Sequence, residues 1–293
     1  MRQLFPILIL VCSAAACVGP ARLCAQAPPV ASQQSSSPGP APGVKTEKAS
    51  NQARVLIDQA IQALGGQTYL TIRDREQQGR VWSFHLGRPT GGGGLFWSFS
   101  EFPDKERIEL TKDRDIVELF VANKGYEITY KGVHGQEKKD LDDYLRRRHY
   151  ALDAVLRTWI NEPGVILLFE GNAIAAQRPV LQVTVINSQN ESVSLYFDAD
   201  THLPVKKSFE WRDPVDKQKN LEEEVYDNYR PVDGIMAPYN ITRFFNGDMS
   251  NQRFLNNVTI NQALDPAMFD PNSGYKPNLD DKNKREDKGR NKR

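Results

Sequence analysis

Residues 192–211, SVSLYFDADTHLPVKKSFEW, decide the fold. Two β-type runs, 192–197 and 205–211, flank a link in which Asp198, Asp200, Thr201 and Pro204 are turn formers. A link this short cannot hold a crossover helix, so the two runs must pair antiparallel. Outward from here the same unit recurs. Further β-type runs cover 82–86, 95–99, 106–110, 116–122, 126–131, 165–169, 180–186, 220–229, 237–245 and 251–260. Turn signals part them at Asn123-Lys124-Gly125, 187–190, Val232-Asp233-Gly234 and Asn246-Gly247-Asp248. The pattern is an antiparallel meander.

Two stretches break that rhythm. Leu56, Ile57, Ala60, Ile61 and Leu64 recur at helical spacing behind Ser50 or Asn51 as a cap, and Gly65-Gly66 ends the run. A second helix is predicted over about 141–160, with Asp140 as a possible cap, a stripe of Leu145, Leu152, Val155, Leu156 and Trp159, and Pro163 beyond its end. Two helices are too few to cross between parallel strands. Strands with one face so aromatic need cover, and the sheet is expected to curl around the helices. The predicted fold class is α+β: an incomplete antiparallel half-barrel of 11–12 strands with helices packed in its concave face.

The chain of 293 residues is 39% hydrophobic and 26% charged, enough for a core and too apolar for general disorder. Its 38 basic and 37 acidic groups exclude the strongly basic footprint of a nucleic-acid binder. Residues 1–27 carry two basic groups and no acid, and residues 276–293 carry eight basic and four acidic groups, which leaves 28 basic against 33 acidic between them.

The start reads as an export signal: Arg2, an apolar run over 4–18, then Ala25-Gln26-Ala27. That run is shorter than the ~20 residues of a membrane span, so no transmembrane span is expected after cleavage. Ala14-Ala15-Ala16-Cys17 is a degenerate lipoprotein box, which makes Cys17 a possible lipidation site. Cys12, Cys17 and Cys24 all lie in the leader, so cleavage after Ala27 leaves no thiol for a disulfide, zinc site or nucleophile. The expected organisation is a signal peptide over 1–27, a Pro/Ser-rich linker over 28–50, one domain over 51–275 and a mixed-charge tail over 276–293.

Chemical motifs were weighed against plainer readings. RPTGGGG, residues 88–94, runs into a strand rather than a helix and reads as a hairpin tip, not a phosphate loop. Asp198, Asp200 and His202 have metal-ligand or acid/base chemistry, but the same residues build a turn. Arg146-Arg147-Arg148-His149 point all round a helix and read as a surface run with ordinary ion pairs. Glu222-Glu223-Glu224 read as an exposed strand section. No Gly-x-Ser-x-Gly, His-Glu-x-x-His or Cys-x-x-Cys occurs. No catalytic residue, metal site or cofactor is assigned. Ten strand aromatics are candidates to line a ligand cavity, or else core: Trp82, Phe84, Trp97, Phe99, Phe120, Tyr130, Phe169, Phe197, Phe209 and Trp211.

FPDKERIEL (102–110), VELFVANKGYEITYKG (117–132), LYFDADTHLPVKKSFEW (195–211), YDNYRPVDGIMAPYNITRFFNG (226–247) and NQALDPAMFD (261–270) together resemble the outer-membrane lipoprotein carrier LolA and its uncharacterised exported relatives. The resemblance covers about 55–271. It implies an unclosed antiparallel barrel with helices in its mouth and an apolar cavity for acyl chains. In the carrier an Arg that holds the helical lid precedes the strand-opening Pro. Here Phe102 precedes Pro103, and no site residue is carried over. The expectation is an exported, non-catalytic envelope protein, periplasmic or anchored to the outer membrane through Cys17. Its partner would be an acyl lipid or lipoprotein. The alternative is a protein-interaction or assembly module with a filled core and an envelope protein partner.

Overall fold

The structure, a computed structural model, describes residues 42–277. The leader with Cys17, the linker up to residue 41 and the tail from residue 278 lie outside the described residues. Helix α1 (Pro42–Leu64) is followed by a single turn, α2 (Gln67–Leu70), and then by strand β1 (Asp74–His85). The chain continues through β2 (Arg88–Pro89), β3 (Gly94–Glu101), β4 (Lys105–Leu110), β5 (Ile116–Val121), β6 (Lys124–Thr129) and β7 (Gly132–Gly135). Helices α3 (Lys138–His149) and α4 (Leu152–Arg157) come next. The chain then runs through β8 (Ile166–Ala175), β9 (Arg178–Ile186), β10 (Ser192–Asp198), β11 (Pro204–Arg212), β12 (Lys219–Val232), β13 (Ile235–Phe245) and β14 (Asp248–Ile260).

All pairings are antiparallel, in the order β7-β6-β5-β4-β3-β1-β14-β13-β12-β11-β10-β9-β8, with β2 beside β1. β1 sits mid-sheet, paired with both β3 and the last strand, β14. From it one meander runs out to the β7 edge. The α3–α4 segment carries the chain to the opposite edge, and a second meander returns from β8. The sheet does not close, because β7 and β8 do not pair. This is the expected half-barrel, with 14 strands rather than 11–12. The short strands β2 and β7, two and four residues long, are exposed and too polar to announce themselves.

α1 begins at Pro42, inside the stretch read as linker. Its stripe Ala53, Leu56, Ile57, Ala60, Ile61 and Leu64 is buried, as the helical spacing requires. Gly65 ends it at φ +125°, where an added Cβ would lie 2.6 Å from the Gly234 carbonyl oxygen. The second helix is broken, not continuous. Ala151 is extended at ψ 146°, and the Tyr150 carbonyl released by the break accepts the Lys207 ammonium at 2.7 Å. α1, α4 and the turn holding Trp159 and Ile160 pack with the inner residues of β8–β14 into the main core. A second core lies elsewhere: Trp97, Phe99 and Leu119 are covered by Met268 and Phe269 from the C-terminal segment.

β1 is eight residues longer at its start than the run 82–86 implied. Residues 74–80, DREQQGR, carry almost no apolar signal. Asp74 instead accepts the backbone N–H groups of Gln262 and Ala263, at 2.6 and 3.2 Å, and ties the strand to the end of β14.

Candidate functional site

The helices fill the concave face unevenly. α1 packs chiefly on β8 and α4 reaches β1 through Asp153 and Arg75, while α3 reaches β4, β5, β11 and β12. Beneath it lies a cavity of about 900 Å³, within the range of small-molecule sites. One wall is apolar and aromatic: Tyr69, Leu70, Ile72, Phe102, Ile108 and Phe120, joined by Tyr144 of α3. Phe120 and Tyr144 stack with ring centroids 3.5 Å apart, and the Tyr144 hydroxyl donates to Glu106 at 3.0 Å. Burial, with Glu106 alongside, pushes the Tyr144 phenol far up, so it stays a donor at any ordinary pH.

Much of the rest of the lining is charged. Strand alternation turns Arg75 and Gln77 (β1), Glu106 (β4), Glu118 (β5), Glu224 (β12), Arg243 (β13) and Arg253 (β14) inward to the cavity. Glu224 is the hub. It accepts Arg243 Nε and the Tyr226 hydroxyl, at 2.6 and 2.7 Å, and lies 3.3 Å from the buried ammonium of Lys207. Burial alone would raise its carboxyl. Lys207 and Arg243 override that and hold it well below the usual range. Nearby, Asp153 of α4 pairs with Arg75 at 2.9 Å and accepts the Tyr69 hydroxyl at 2.9 Å. Its carboxyl is pushed up by burial but brought down further by Arg75 and Arg157. Burial and the neighbouring Glu106 raise the Glu118 carboxyl, and Arg147 opposes them.

Eight arginine or lysine side chains face the cavity against six carboxylates. Two of the cations stand out. Arg253 has no carboxylate at ion-pair distance among the described residues, and its buried Nε makes no hydrogen bond. Burial and the like charge of Arg243 push it down to about 10. Arg147, on α3, is likewise without an ion-pair partner among the described residues, and burial and Arg243 lower it too. The Nε of Arg75 is also buried and unpartnered.

The arginine run of α3 is therefore not a bland surface. Arg146 lies 3.5 Å from the centroid of the Trp211 ring and pairs with Glu222 and Asp143. Arg147 enters the cavity, while Arg148 donates to the carbonyls of Asp104 and Ala122. His149 meets Glu191 at 2.7 Å. Pointing all round the helix is what lets the run bind it to separate strands. The section 222–224 is not simply exposed either. Alternation turns Glu222 and Glu224 inward, and Glu223 pairs with Lys206 on the outer face.

The ten aromatic candidates scatter. Phe120 lines the cavity, and the other nine do not. Trp97 and Phe99 face outward beneath the C-terminal segment. Phe197 and Phe209 are fully packed core, and Phe169 and Trp211 lean against that core. Trp82 meets Phe254 edge-on at 5.3 Å. Phe84 is half-buried beside β2, and Tyr130 is 89% exposed. The signal that would have found the cavity is an inward charge at every second position of several strands, which aromatic counting overlooks. Phe102, at the position of the carrier's Arg, lies beneath two guanidiniums, those of Arg75 and Arg157, at 5.1 and 4.6 Å from its centroid.

The other motifs resolve as structure. Residues 88–94 form a hairpin tip. Asp198 accepts the N–H groups of Asp200 and Thr201 and the Thr201 hydroxyl, at 2.9–3.1 Å. Partial burial pushes the Asp198 carboxyl up, but the bonds from Thr201 and Asp200 bring it below its usual value, as a turn carboxylate requires. Among the described residues, no three His, Cys, Asp or Glu side chains are placed to hold a metal ion. No helix there is long and apolar enough to cross a membrane.

No protein-family model matches the chain, and none of the curated proteins matches it. Solved structures do. A DUF1329 family protein from Desulfovibrio piger superposes with a TM-score of 0.53 at 12% identity, over 74% of this chain and 97% of that one. A putative outer membrane lipoprotein-sorting protein domain from Vibrio parahaemolyticus gives 0.48 at 10% identity, over 78% and 98%. A LolA superfamily protein from Nitrosomonas europaea gives 0.45 at 12% identity, over 74% and 97%. Together with the strand order, the first of these establishes the class of fold: an open antiparallel half-barrel. At such identities the likeness concerns fold alone.

Proposed function

We propose that this chain is an exported, non-catalytic protein of the bacterial cell envelope that binds a hydrophobic or acyl ligand in its concave cavity. The ligand would be a lipid or the acyl part of a lipoprotein. The observation that carries the reading is the 900 Å³ space between α3 and the sheet. Its size is that of a small-molecule cleft. Its apolar wall suits a chain, and the leader read over 1–27 supports export. The protein would reside in the periplasm, or on the outer membrane if Cys17 is lipidated. The reading needs no metal, cofactor or nucleic acid.

A second reading, a protein-interaction or assembly module, is favoured by the unpaired edges of β7 and β8 and by Ile174, which is 81% exposed on β8. Native mass spectrometry on the chain, purified from a periplasmic host without detergent, separates the two. A reproducible extra mass that dissociates as an acyl lipid is the expected result. A clean apo mass, with no uptake from added lipid extract, would refute the lipid reading.

A further inference from the structure

Around the hub Glu224 the charges do not balance. Arg243, Arg253, Lys207, Arg146 and Arg147 converge on this part of the concave face. Glu222, Glu224, Asp143 and Glu118 are the carboxylates nearest them: Arg146 already pairs with Glu222 and Asp143, and Arg243 and Lys207 share Glu224. Arg253 and Arg147 remain, one on the strand floor and one on the helix above it. Ile241 of β13 pairs directly with Arg253 of β14, so Arg243, two residues on, is its diagonal neighbour on the same face. A half-buried guanidinium next to another, with its own buried Nε unpartnered, is costly unless something negative joins it. The planar fork of Arg matches carboxylate and phosphate oxygens. Both guanidiniums are partly exposed and line the cavity.

We propose that Arg147 and Arg253, assisted by Arg243, form a subsite for the anionic head of an amphiphile, a carboxylate or a phosphate monoester, whose chain lies along Phe102, Ile108 and Phe120. This rests on the acyl-ligand reading and specifies the class of ligand. The geometry divides the cavity between the two halves of such a molecule. Phe120 and Ile108 come from β5 and β4, Arg253 from β14, and β1 lies between, with Gln77 facing in.

The test is calorimetric titration of the full chain with decanoate, decyl phosphate, decanol and decyltrimethylammonium, which share one alkyl chain. The anionic probes should bind at least about tenfold more tightly than decanol, the effect of one charge-assisted hydrogen bond. Decyltrimethylammonium should bind most weakly. Preference for decanoate or for decyl phosphate assigns the head as carboxylate or phosphate. The double variant R147Q/R253Q should lose the preference and keep its affinity for decanol. Its melting temperature without ligand should equal or exceed that of the parent, because two half-buried charges without an ion-pair partner among the described residues are gone. Equal binding of decanol and the anions, a preference that survives in the double variant, or a lowered melting temperature would overturn the inference while leaving the acyl reading standing. Failure of all four probes to bind would refute both.

Discussion

Replacing Glu224 by Gln tests the electrostatic architecture directly. Gln keeps the shape and can still accept the Tyr226 hydroxyl, so the change removes charge without opening a cavity. What remains is Lys207, 2% exposed, with Arg243 and Arg253 and no counter-charge at the hub. Breaking a buried pair by deleting one partner costs about 3–5 kcal/mol. In a domain of 150–250 residues each kcal/mol moves the melting temperature by about 2–4 °C. E224Q should therefore melt about 6–20 °C lower at pH 7, by calorimetry or circular dichroism. Because the native carboxyl is held below its ordinary value of 4.5, its contribution is complete above that value and is lost as pH falls through the lowered native one. The gap between parent and variant should be wide at pH 7 and narrow progressively below about pH 4.5. A shift of under about 3 °C, or a gap that stays constant into acid, would refute the assignment of Glu224 as the structural counter-ion.

Two further substitutions probe separate parts of the argument. Gly79 lies at the β1–β14 irregularity, where an added Cβ would sit 2.2 Å from the Phe254 carbonyl oxygen. Backbone cannot yield cheaply, so G79A should lose about 1–3 kcal/mol in urea unfolding; a loss under about 0.5 kcal/mol would mean that the strands do not approach so closely. Asp198→Ala should lose about 1 kcal/mol from the turn and leave amphiphile affinity unchanged. A normal melting temperature with abolished ligand binding would instead return Asp198, Asp200 and His202 to consideration as a site.

The meander was legible because its evidence is local. Val193, Leu195 and Phe197 alternate, turn formers close each link, and α1 carries a helical stripe ending in two glycines. Antiparallel pairing follows from the link lengths alone. The first half of β1 was not legible, because a central strand announces itself through apolar residues and this one turns Arg75 and Gln77 into a polar cavity. The helix over 141–160 reads as one piece. Its break at Tyr150–Ala151 answers a contact 57 residues away, with Lys207.

Which face a residue takes was a different kind of question. On β3 both Phe96 and Trp97 are buried, one against the helices and the other beneath a C-terminal segment some 170 residues away in sequence. Apolar character on adjacent positions carries no information about which side holds the ligand. The same applies to charge: Arg147 and Arg253 are ordinary residues in their own segments, more than 100 positions apart. The sequence by itself determined that the chain folds as a curled antiparallel sheet with two helical regions, since hydrophobic period and turn chemistry act over a few residues. Only the tertiary structure decided that the concave face is left partly empty and lined with charged side chains, cations in excess. Cavity shape and charge balance are sums over strands that the chain brings together only when it folds.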